Sequence, residues 1–262
     1  MKNIKNKAAV TANPVDGALP LEIKSLFKKY GEKQDYAVKD ISFAAARGEI
    51  VGLLGPNGAG KSTVLKCVTG MLPPTSGDIA IAGYPIKEKP LQAKSNLSFV
   101  TDNHSVFVKM TGMQYLSFMS DVYGVETNAR APRIEELEKS FRLGDAVNNL
   151  ISSYSHGMKQ KICMMGSLIH SPNLWILDEP MVGLDPRTQD AVTRFMKEYV
   201  KTGKTILFSS HNLDVVQRIC DRAVIINRGE IVADIVIEEF VRENPEGLHR
   251  YYFTDGSGEA DA

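Results

Sequence analysis

The hydrophobic pattern of the first hundred residues is typical of β-strands. Apolar and polar positions alternate over residues 21–28 and Tyr36–Ala45, which is the period of a strand with one buried face. Ile50–Leu54 is a continuous apolar run, and residues 79–81 and Leu97–Val100 are two shorter candidates. We therefore predict a β-rich layer at the start of the fold.

The pattern becomes helical in the middle of the chain. Apolar residues recur at helical spacing in two stretches between residues 102 and 157, one around Met113 and Leu116 and one around Ile134, Leu137 and Phe141. Such spacing predicts amphipathic helices. We expect a helical subdomain, over about residues 102–165, inserted between two strands of the main sheet.

Strands and helices alternate after this insertion. Residues 174–177 and 205–208 are apolar runs of the kind found in strands buried on both faces. A helix is predicted over 187–201, and a second over Leu213–Ile219, before a last strand at 223–226. This alternation predicts an α/β fold whose core is a mostly parallel sheet with flanking helices. The N-terminal strands would form an antiparallel layer beside it.

Composition narrows the class of protein. Lys plus Arg and Asp plus Glu each number 31 among 262 residues, so the chain lacks the basic excess of a nucleic-acid-binding surface. Three cysteines, at positions 67, 163 and 220, lie far apart in apolar or helical surroundings, as expected of reduced thiols in a cytosolic core. We expect one domain over residues 21–245, with polar tails at 1–20 and 246–262.

Neither a signal peptide nor a membrane span is predicted. The basic start, residues 1–7, is followed by a stretch too short and polar for the apolar part of a signal peptide. The longest uncharged run, 162–177, is interrupted by His-Ser-Pro-Asn, so it predicts a helix, a turn and a strand. We expect a cytoplasmic chain that reaches a membrane only through a partner.

One segment carries a specific chemical signal. After the strand Ile50–Leu54, and opening a helix, the sequence fits the pattern G-x-x-x-x-G-K-[ST] at every position. Glycines let backbone N–H groups point at phosphate oxygens, and the helix N-terminus favours negative charge. In such a loop Lys61 reaches the β- and γ-phosphates and the Ser62 hydroxyl ligates Mg²⁺. The predicted phosphate-binding residues are Gly55, Pro56, Asn57, Gly58, Ala59, Gly60, Lys61, Ser62 and Thr63.

Two carboxylates follow the buried strand at 174–177. Ligands bind at the carboxyl ends of strands in open α/β sheets, and Asp178 is placed there to complete the Mg²⁺ shell. Glu179 comes one residue later and so points elsewhere, free to position and deprotonate an attacking water. A solvated strand end is the simpler explanation for an isolated Asp-Glu pair, but the phosphate-binding loop requires such a carboxylate.

With these motifs, residues from 21 to about 240 resemble the ATP-binding subunit of ABC transporters, a family with the P-loop NTPase fold. Residues 155–160, Ser-His-Gly-Met-Lys-Gln, resemble the ABC signature in a form common among exporters, and residues 183–186 resemble the D-loop. His211, after an apolar strand, is similar to the switch histidine that senses the γ-phosphate. Tyr30 stands where the family stacks an aromatic ring on adenine.

The resemblance implies a dimer, a metal and a membrane partner. Ser155 would cap a helix toward residue 169, leaving N–H groups near Gly157 to hold the γ-phosphate of an ATP on the other protomer. The cofactors would be ATP and Mg²⁺, and the partners a second ATP-binding subunit, identical or related, and membrane-spanning permease subunits, with no nucleic acid. The chain would then lie at the cytoplasmic face of the membrane.

Two positions depart from the family pattern. His156 occupies a place where the signature usually has glycine. The glutamine that joins the two subdomains in the family aligns with Asp102. We expect Asp102 to approach Mg²⁺ when ATP is bound, because metal charge offsets its repulsion from neighbouring carboxylates. The alternative is that Asp102 merely caps a following helix or turn, and that Asn103 or no residue takes the place of the glutamine.

Other functions and other residues fit the pattern less well. A soluble ABC ATPase acting on DNA would need a long coiled coil in the insertion, and one acting on ribosomes usually has two cassettes. A subunit unable to hydrolyse ATP would not be expected to keep Glu179 and His211. The short segment after the cassette favours an exporter.

The remaining histidines, and the aromatic residues of the insertion, are predicted to pack or to face solvent: His104, His170, His249, Phe107, Tyr115, Phe118 and Tyr123.

Overall fold

The computed structural model describes residues 12–31, 35–101 and 107–248, and these residues form ten strands and eight α-helices. The strands are β1 Leu21–Lys29, β2 Tyr36–Ala45, β3 Ile50–Leu54, β4 Ser76–Ile81, β5 Tyr84–Pro85, β6 Leu97–Val100, β7 Leu174–Asp178, β8 Thr205–Ser210, β9 Arg222–Asn227 and β10 Glu230–Val236. The helices are α1 Lys61–Val68, α2 Pro90–Ser95, α3 Gly112–Val122, α4 Thr127–Phe141, α5 His156–Leu168, α6 Pro186–Lys201, α7 Leu213–Ile219 and α8 Ile237–Glu243.

The central sheet has six strands in the order β10-β9-β3-β8-β7-β6. Five of them pair in parallel, and β10 pairs antiparallel with β9 at one edge. Every residue of β3, β7 and β8 is buried, as their unbroken apolar runs predicted. Because the strands are parallel, the segments that follow β3, β7 and β8 emerge at the same edge, and the predicted site residues lie on those segments.

A second sheet, in the order β2-β1-β4-β5, is antiparallel and covers the first. Its inward-facing side chains, among them Leu21, Ile23 and Ile81, pack with residues of α1 and of the central sheet in one buried cluster. Helix α1 is therefore held between two sheets. The predicted antiparallel β layer is confirmed.

The helical insertion, α3 to α5 with two 3₁₀ turns at Gly144–Asn148 and Ile151–Ser153, lies between β6 and β7 in the chain. Thr111 and Gln114 form a reciprocal capping box at the start of α3, which satisfies two otherwise free N–H groups. The buried residues of α3, α4 and α5 join Trp175 of β7 in a common core. The predicted helical insertion between two strands is confirmed.

The first and last described segments make contacts that the sequence did not predict. Residues 12–20, expected in a polar tail, are held through their backbone: Val15 donates to the carbonyl of Ala82 at 3.0 Å, and the carbonyl of Asn13 accepts from the Tyr84 hydroxyl at 2.7 Å. At the other end Leu248 is fully buried and its N–H donates to the Gln217 side chain at 3.0 Å. Backbone hydrogen bonds leave no pattern of side chains, so periodicity does not detect such segments.

Candidate functional site

The phosphate-binding loop connects β3 to α1 and presses closely against its neighbours. A Cβ on Gly55 would lie 2.1 Å from the carbonyl oxygen of Ile226, and one on Gly60 would lie 2.7 Å from that of Ala37. Gly60 also has φ of +109° just before the first turn of α1, a conformation that other residues avoid. The two glycines therefore let the loop curl over the start of the helix, and its shape requires them.

Lys61 lies inside the curved phosphate-binding loop. Its side chain is buried, and its ammonium group donates to the carbonyls of Gly55 at 2.6 Å and Pro56 at 3.0 Å. Burial lowers the pKa of Lys61, and the nearby charges of Glu179 and Asp178 oppose that shift. An ammonium group that donates to carbonyl oxygens of its own loop is suited to exchange them for phosphate oxygens.

Asp178, the last residue of β7, is buried beside α1. Its Oδ1 accepts hydrogen bonds from the hydroxyls of Ser62, at 3.2 Å, and of Ser209, at 2.5 Å. A carboxylate next to a serine hydroxyl is the hard-oxygen donor set that Mg²⁺ prefers. Among the described residues no group of three or more His, Cys, Asp or Glu side chains forms a candidate metal cluster. The pair fits Mg²⁺ carried by a nucleotide.

Glu179 and His211, predicted from separate motifs, lie together. Glu179 has φ of +50°, in the left-handed region, so its side chain leaves the direction of β7. Its Oε1 lies 3.0 Å from Nδ1 of His211, which follows β8. Both side chains are partly exposed, with fractional exposures of 20% and 49%. A carboxylate at the rim of the site, oriented by an imidazole, is placed to act on a water molecule.

The signature residues start α5. The Ser155 hydroxyl accepts the N–H of Met158 at 3.3 Å, which confirms the predicted cap, and Gly157 follows in the first turn. Gln160 is buried and donates from its amide to the carbonyl of Pro180. Among the described residues no hydrogen bond joins Ser155 or Gly157 to the loop 55–63.

His156 departs from the family pattern and contacts the D-loop of its own chain. A Cβ on Gly183 would lie 2.8 Å from the imidazole ring, so the ring lies directly over this glycine. Gly183 has φ of +76° and belongs to the turn between Glu179 and α6. The signature helix and the segment after Glu179 are therefore packed together through His156 and Gln160.

Tyr30 follows β1 and stands beside the phosphate-binding loop. Its hydroxyl lies 3.2 Å from that of Thr63, and the residue as a whole is 43% exposed. The Lys28 ammonium lies 5.7 Å from the ring centroid. An open aromatic face next to the loop could accept a stacked base without a change in the fold.

Some predicted residues fall elsewhere. Asp102, His104 and His249 lie outside the described residues. His170 stacks on Tyr123 with ring centroids 3.6 Å apart, which confirms its predicted packing role. Tyr115 is buried, whereas Phe107 and Phe118 are partly exposed and contact each other.

The three cysteines, Cys67, Cys163 and Cys220, are free and buried, and burial raises the pKa of each thiol.

Sequence reasoning missed Ser209, which contacts both carboxylate residues of the site. The signal was present: an apolar strand ends in two serines, and a buried hydroxyl needs a partner. The pairing of β8 with β7, which decides that partner, is a long-range property that the local pattern does not contain.

The fold and this site define a P-loop NTPase, and the comparisons give its family. The ABC transporter family matches residues 38–182. The linearmycin resistance ATP-binding protein LnrL of Bacillus subtilis (strain 168) is 36% identical over 81% of this chain and 68% of its own length. The Nod factor export ATP-binding protein I of Rhizobium meliloti (strain 1021) is 33% identical over 87% of this chain and 68% of its own length.

Solved structures agree with the sequence comparisons. A structure described as the ATP-binding subunit of an ABC transporter superposes with a TM-score of 0.83 at 31% identity, covering 90% of this chain and 98% of its own. The chain therefore belongs to the ATP-binding subunits of ABC transporters. It binds ATP and is the ATPase of a transporter. This assignment favours a role in transport over the alternative, an ATPase that acts on DNA or ribosomes. Across the described residues no helix has the length and apolar character needed to span a membrane.

Proposed function

We propose that this chain is the ATP-driven motor of an exporter, in which binding of ATP closes two such subunits and its hydrolysis reopens them. One observation carries the proposal: the carboxyl ends of three adjacent parallel strands bring Lys61, Asp178, Glu179 and His211 to a single edge of the central sheet. Phosphoryl transfer needs positioning and charge stabilisation more than covalent chemistry, and these residues supply both.

Each residue has a separate task in hydrolysis. Lys61 and the N–H groups of the loop would hold the β- and γ-phosphates, and Ser62 and Asp178 would hold the metal. When bound, Mg²⁺ neutralises charge on the phosphate oxygens. Glu179 orients the attacking water and takes its proton, a contribution of roughly 10²- to 10⁴-fold in rate. His211, in contact with Glu179, fixes that carboxylate and contacts the γ-phosphate. The Tyr30 ring stacks on adenine.

We propose that a second subunit completes the site. Ser155 and Gly157 are exposed or half-exposed at the start of α5, with the free N–H groups of a helix N-terminus. In a head-to-tail dimer they reach the γ-phosphate bound by the partner's loop. Helix α5 also contacts the segment after Glu179, through the hydrogen bond from Gln160 to Pro180. ATP bound at the interface would therefore affect both the helical insertion and the central sheet of each subunit.

A cleft beside the helical insertion is the proposed docking surface for the membrane partner. It measures about 1370 Å³ and lies between the insertion and the central sheet. Met71, Leu91 and Val122 line it, with exposures of 61%, 62% and 54%. Large exposed apolar side chains grouped in one cleft are typical of an interaction surface. A permease segment seated there would hold the chain at the cytoplasmic face of the membrane.

The direction of transport is inferred from the relatives. One is named for resistance to linearmycin and another for Nod factor export, and we infer from these names that this chain also serves an exporter. Residues 155–160 also resemble the form of the ABC signature that is common among exporters. The proposed permease would choose the cargo, because the ATPase fold does not by itself determine which compound is transported.

The test of partner and docking site is co-purification. A tagged chain is isolated from detergent extract of its own cells, and the membrane protein that it retains is identified. Leu91→Asp should abolish retention while leaving basal ATPase activity within about twofold, because it changes only the cleft. Val232→Asp, at a position on β10 that is 46% exposed, is the control and should retain the partner. Retention by Leu91→Asp equal to the wild type would contradict this docking surface.

A further inference from the structure

Ser209 is a polar residue in the most buried part of the central sheet. It lies near the end of β8, which is hydrogen-bonded to β3 on one side and β7 on the other, and it has no solvent exposure. A buried hydroxyl without a partner is costly. The groups to which this hydroxyl is hydrogen-bonded therefore indicate its role.

Its two hydrogen bonds go to the two consecutive acidic residues of the site. Ser209 and Asp178 are directly opposed in the parallel register of β7 and β8. The Ser209 hydroxyl donates to Oδ1 of Asp178 at 2.5 Å and accepts the backbone N–H of Glu179 at 3.1 Å. A carboxylate only accepts and an amide N–H only donates, so both directions are fixed. One hydroxyl thus connects the side chain of Asp178 to the backbone of Glu179.

The backbone at Glu179 needs such support. Its φ of +50° is a left-handed conformation that costs free energy for a residue with a side chain and persists only where the surroundings hold it. This conformation turns the Glu179 side chain toward His211. A hydrogen bond on the N–H of the same residue holds it at the point where the chain leaves the strand.

We propose that Ser209 is a positioning residue, which sets the Asp178 carboxylate for the metal and the Glu179 backbone for the attacking water at the same time. This inference rests on the proposed roles of Asp178 and Glu179. Ser62 also donates to Asp178, but it is itself a proposed metal ligand. Ser209 is the hydroxyl whose bonds serve only to orient.

Ser98 offers a matched control on the other side of β7. It lies in β6, opposite Trp175, and is as deeply buried as Ser209. Within the part of the chain that the structure describes, its hydroxyl has no hydrogen-bond partner. Ser98→Ala therefore removes a buried serine hydroxyl beside the same strand without touching either acidic residue.

The experiment compares Ser209→Ala, Ser209→Thr and Ser98→Ala in the full chain. Four quantities are measured: kcat, the KM for ATP, the half-saturating Mg²⁺ concentration, and the affinity for a fluorescent ATP analogue with and without Mg²⁺. Rates are normalised to the folded fraction. Loss of a hydrogen bond to a charged group corresponds to roughly a 10- to 100-fold effect.

We expect Ser209→Ala to lower kcat roughly 10- to 100-fold and to raise the half-saturating Mg²⁺ concentration several-fold. Its affinity for the analogue without Mg²⁺ should stay within about twofold, because the loop 55–63 is unchanged. Ser209→Thr, which keeps the hydroxyl, should recover most of the loss, and Ser98→Ala should match the wild type. A purely structural role would change stability without this dependence on Mg²⁺.

Two results separate the failure of this inference from that of the proposed function. If Glu179→Gln and Asp178→Asn abolish turnover while Ser209→Ala keeps a wild-type kcat and Mg²⁺ requirement, Ser209 has no positioning role and the site stands. If Glu179→Gln itself keeps turnover, the proposed roles fail, and the inference about Ser209 fails with them.

Discussion

Gly60→Ala tests whether the curl of the phosphate-binding loop depends on close backbone contact. Gly60 combines φ of +109° with a Cβ position 2.7 Å from the carbonyl oxygen of Ala37. An ordinary contact begins at 3.4 Å, so the loop and β2 must separate by about 0.7 Å. A displacement of this size in groups that position phosphate costs roughly 100-fold in affinity or rate. The left-handed φ adds about 1–2 kcal/mol of strain.

Gly203→Ala is the matched control. Gly203 has φ of +80° in the turn before β8, and a Cβ there would meet no atom within 4 Å. It carries the same kind of backbone strain, about 1–2 kcal/mol, without a collision and without contact with the loop. The difference between the two variants therefore isolates the effect of the collision on the loop.

Thermal and chemical unfolding with and without ATP provides the assay. At a ligand concentration 100 times its Kd, binding stabilises the wild type by about 2.7 kcal/mol. A 100-fold weaker variant gains only about 0.4 kcal/mol at the same concentration. We expect Gly60→Ala to lose most of the stabilisation by ATP and Gly203→Ala to keep it. Full stabilisation of Gly60→Ala by ATP would refute the argument that the loop needs this contact.

Two further predictions concern the ring proposed to stack on adenine and a half-buried histidine. Tyr30→Ala should raise the KM for ATP roughly 10-fold with little change in kcat, because stacking is lost equally in ground and transition states; a larger KM effect of Tyr36→Ala would show that the stacking ring is misassigned. Burial lowers the pKa of His170 to about 4, against a weaker opposing hydrogen bond to the carbonyl of Leu97. The unfolded chain therefore binds the proton more readily, and stability should fall by about 3 kcal/mol as pH drops from about 6.5 to 4. His170→Phe should remove this slope in urea unfolding measured against pH, and an unchanged slope would exclude His170 as its source.

Much of the site could be predicted because its signals are local. The loop from Gly55 to Thr63 is a continuous pattern between a strand and a helix, and Ser155 precedes its helix by one residue. Such features depend on neighbours along the chain, where spacing and residue type are sufficient. The parallel sheet followed for the same reason from the alternation of apolar runs.

Other features depend on which strands become neighbours. The 3.0 Å contact between Glu179 and His211 and the hydrogen bonds of Ser209 both require β7 to lie beside β8. The residue pattern within a single segment does not determine the order of strands in a sheet. The contact of His156 with Gly183 likewise joins two loops far apart in sequence. The hydrophobic pattern showed which residues are apolar on α3, but Val122 is more than half exposed and lines the cleft.

The central claim, that Glu179 activates water in a site closed by two subunits, is tested most directly by Glu179→Gln. Turnover and oligomeric state are measured together, as phosphate release and as size-exclusion chromatography with and without Mg²⁺ and ATP. Glu198→Gln, a surface carboxylate paired with Lys201, is the control and should behave as the wild type. We predict that Glu179→Gln binds ATP normally, turns over roughly 10²- to 10⁴-fold more slowly, and accumulates as an ATP-bound dimer. Turnover near the wild-type rate, or a variant that stays monomeric while saturated with ATP, would contradict the account.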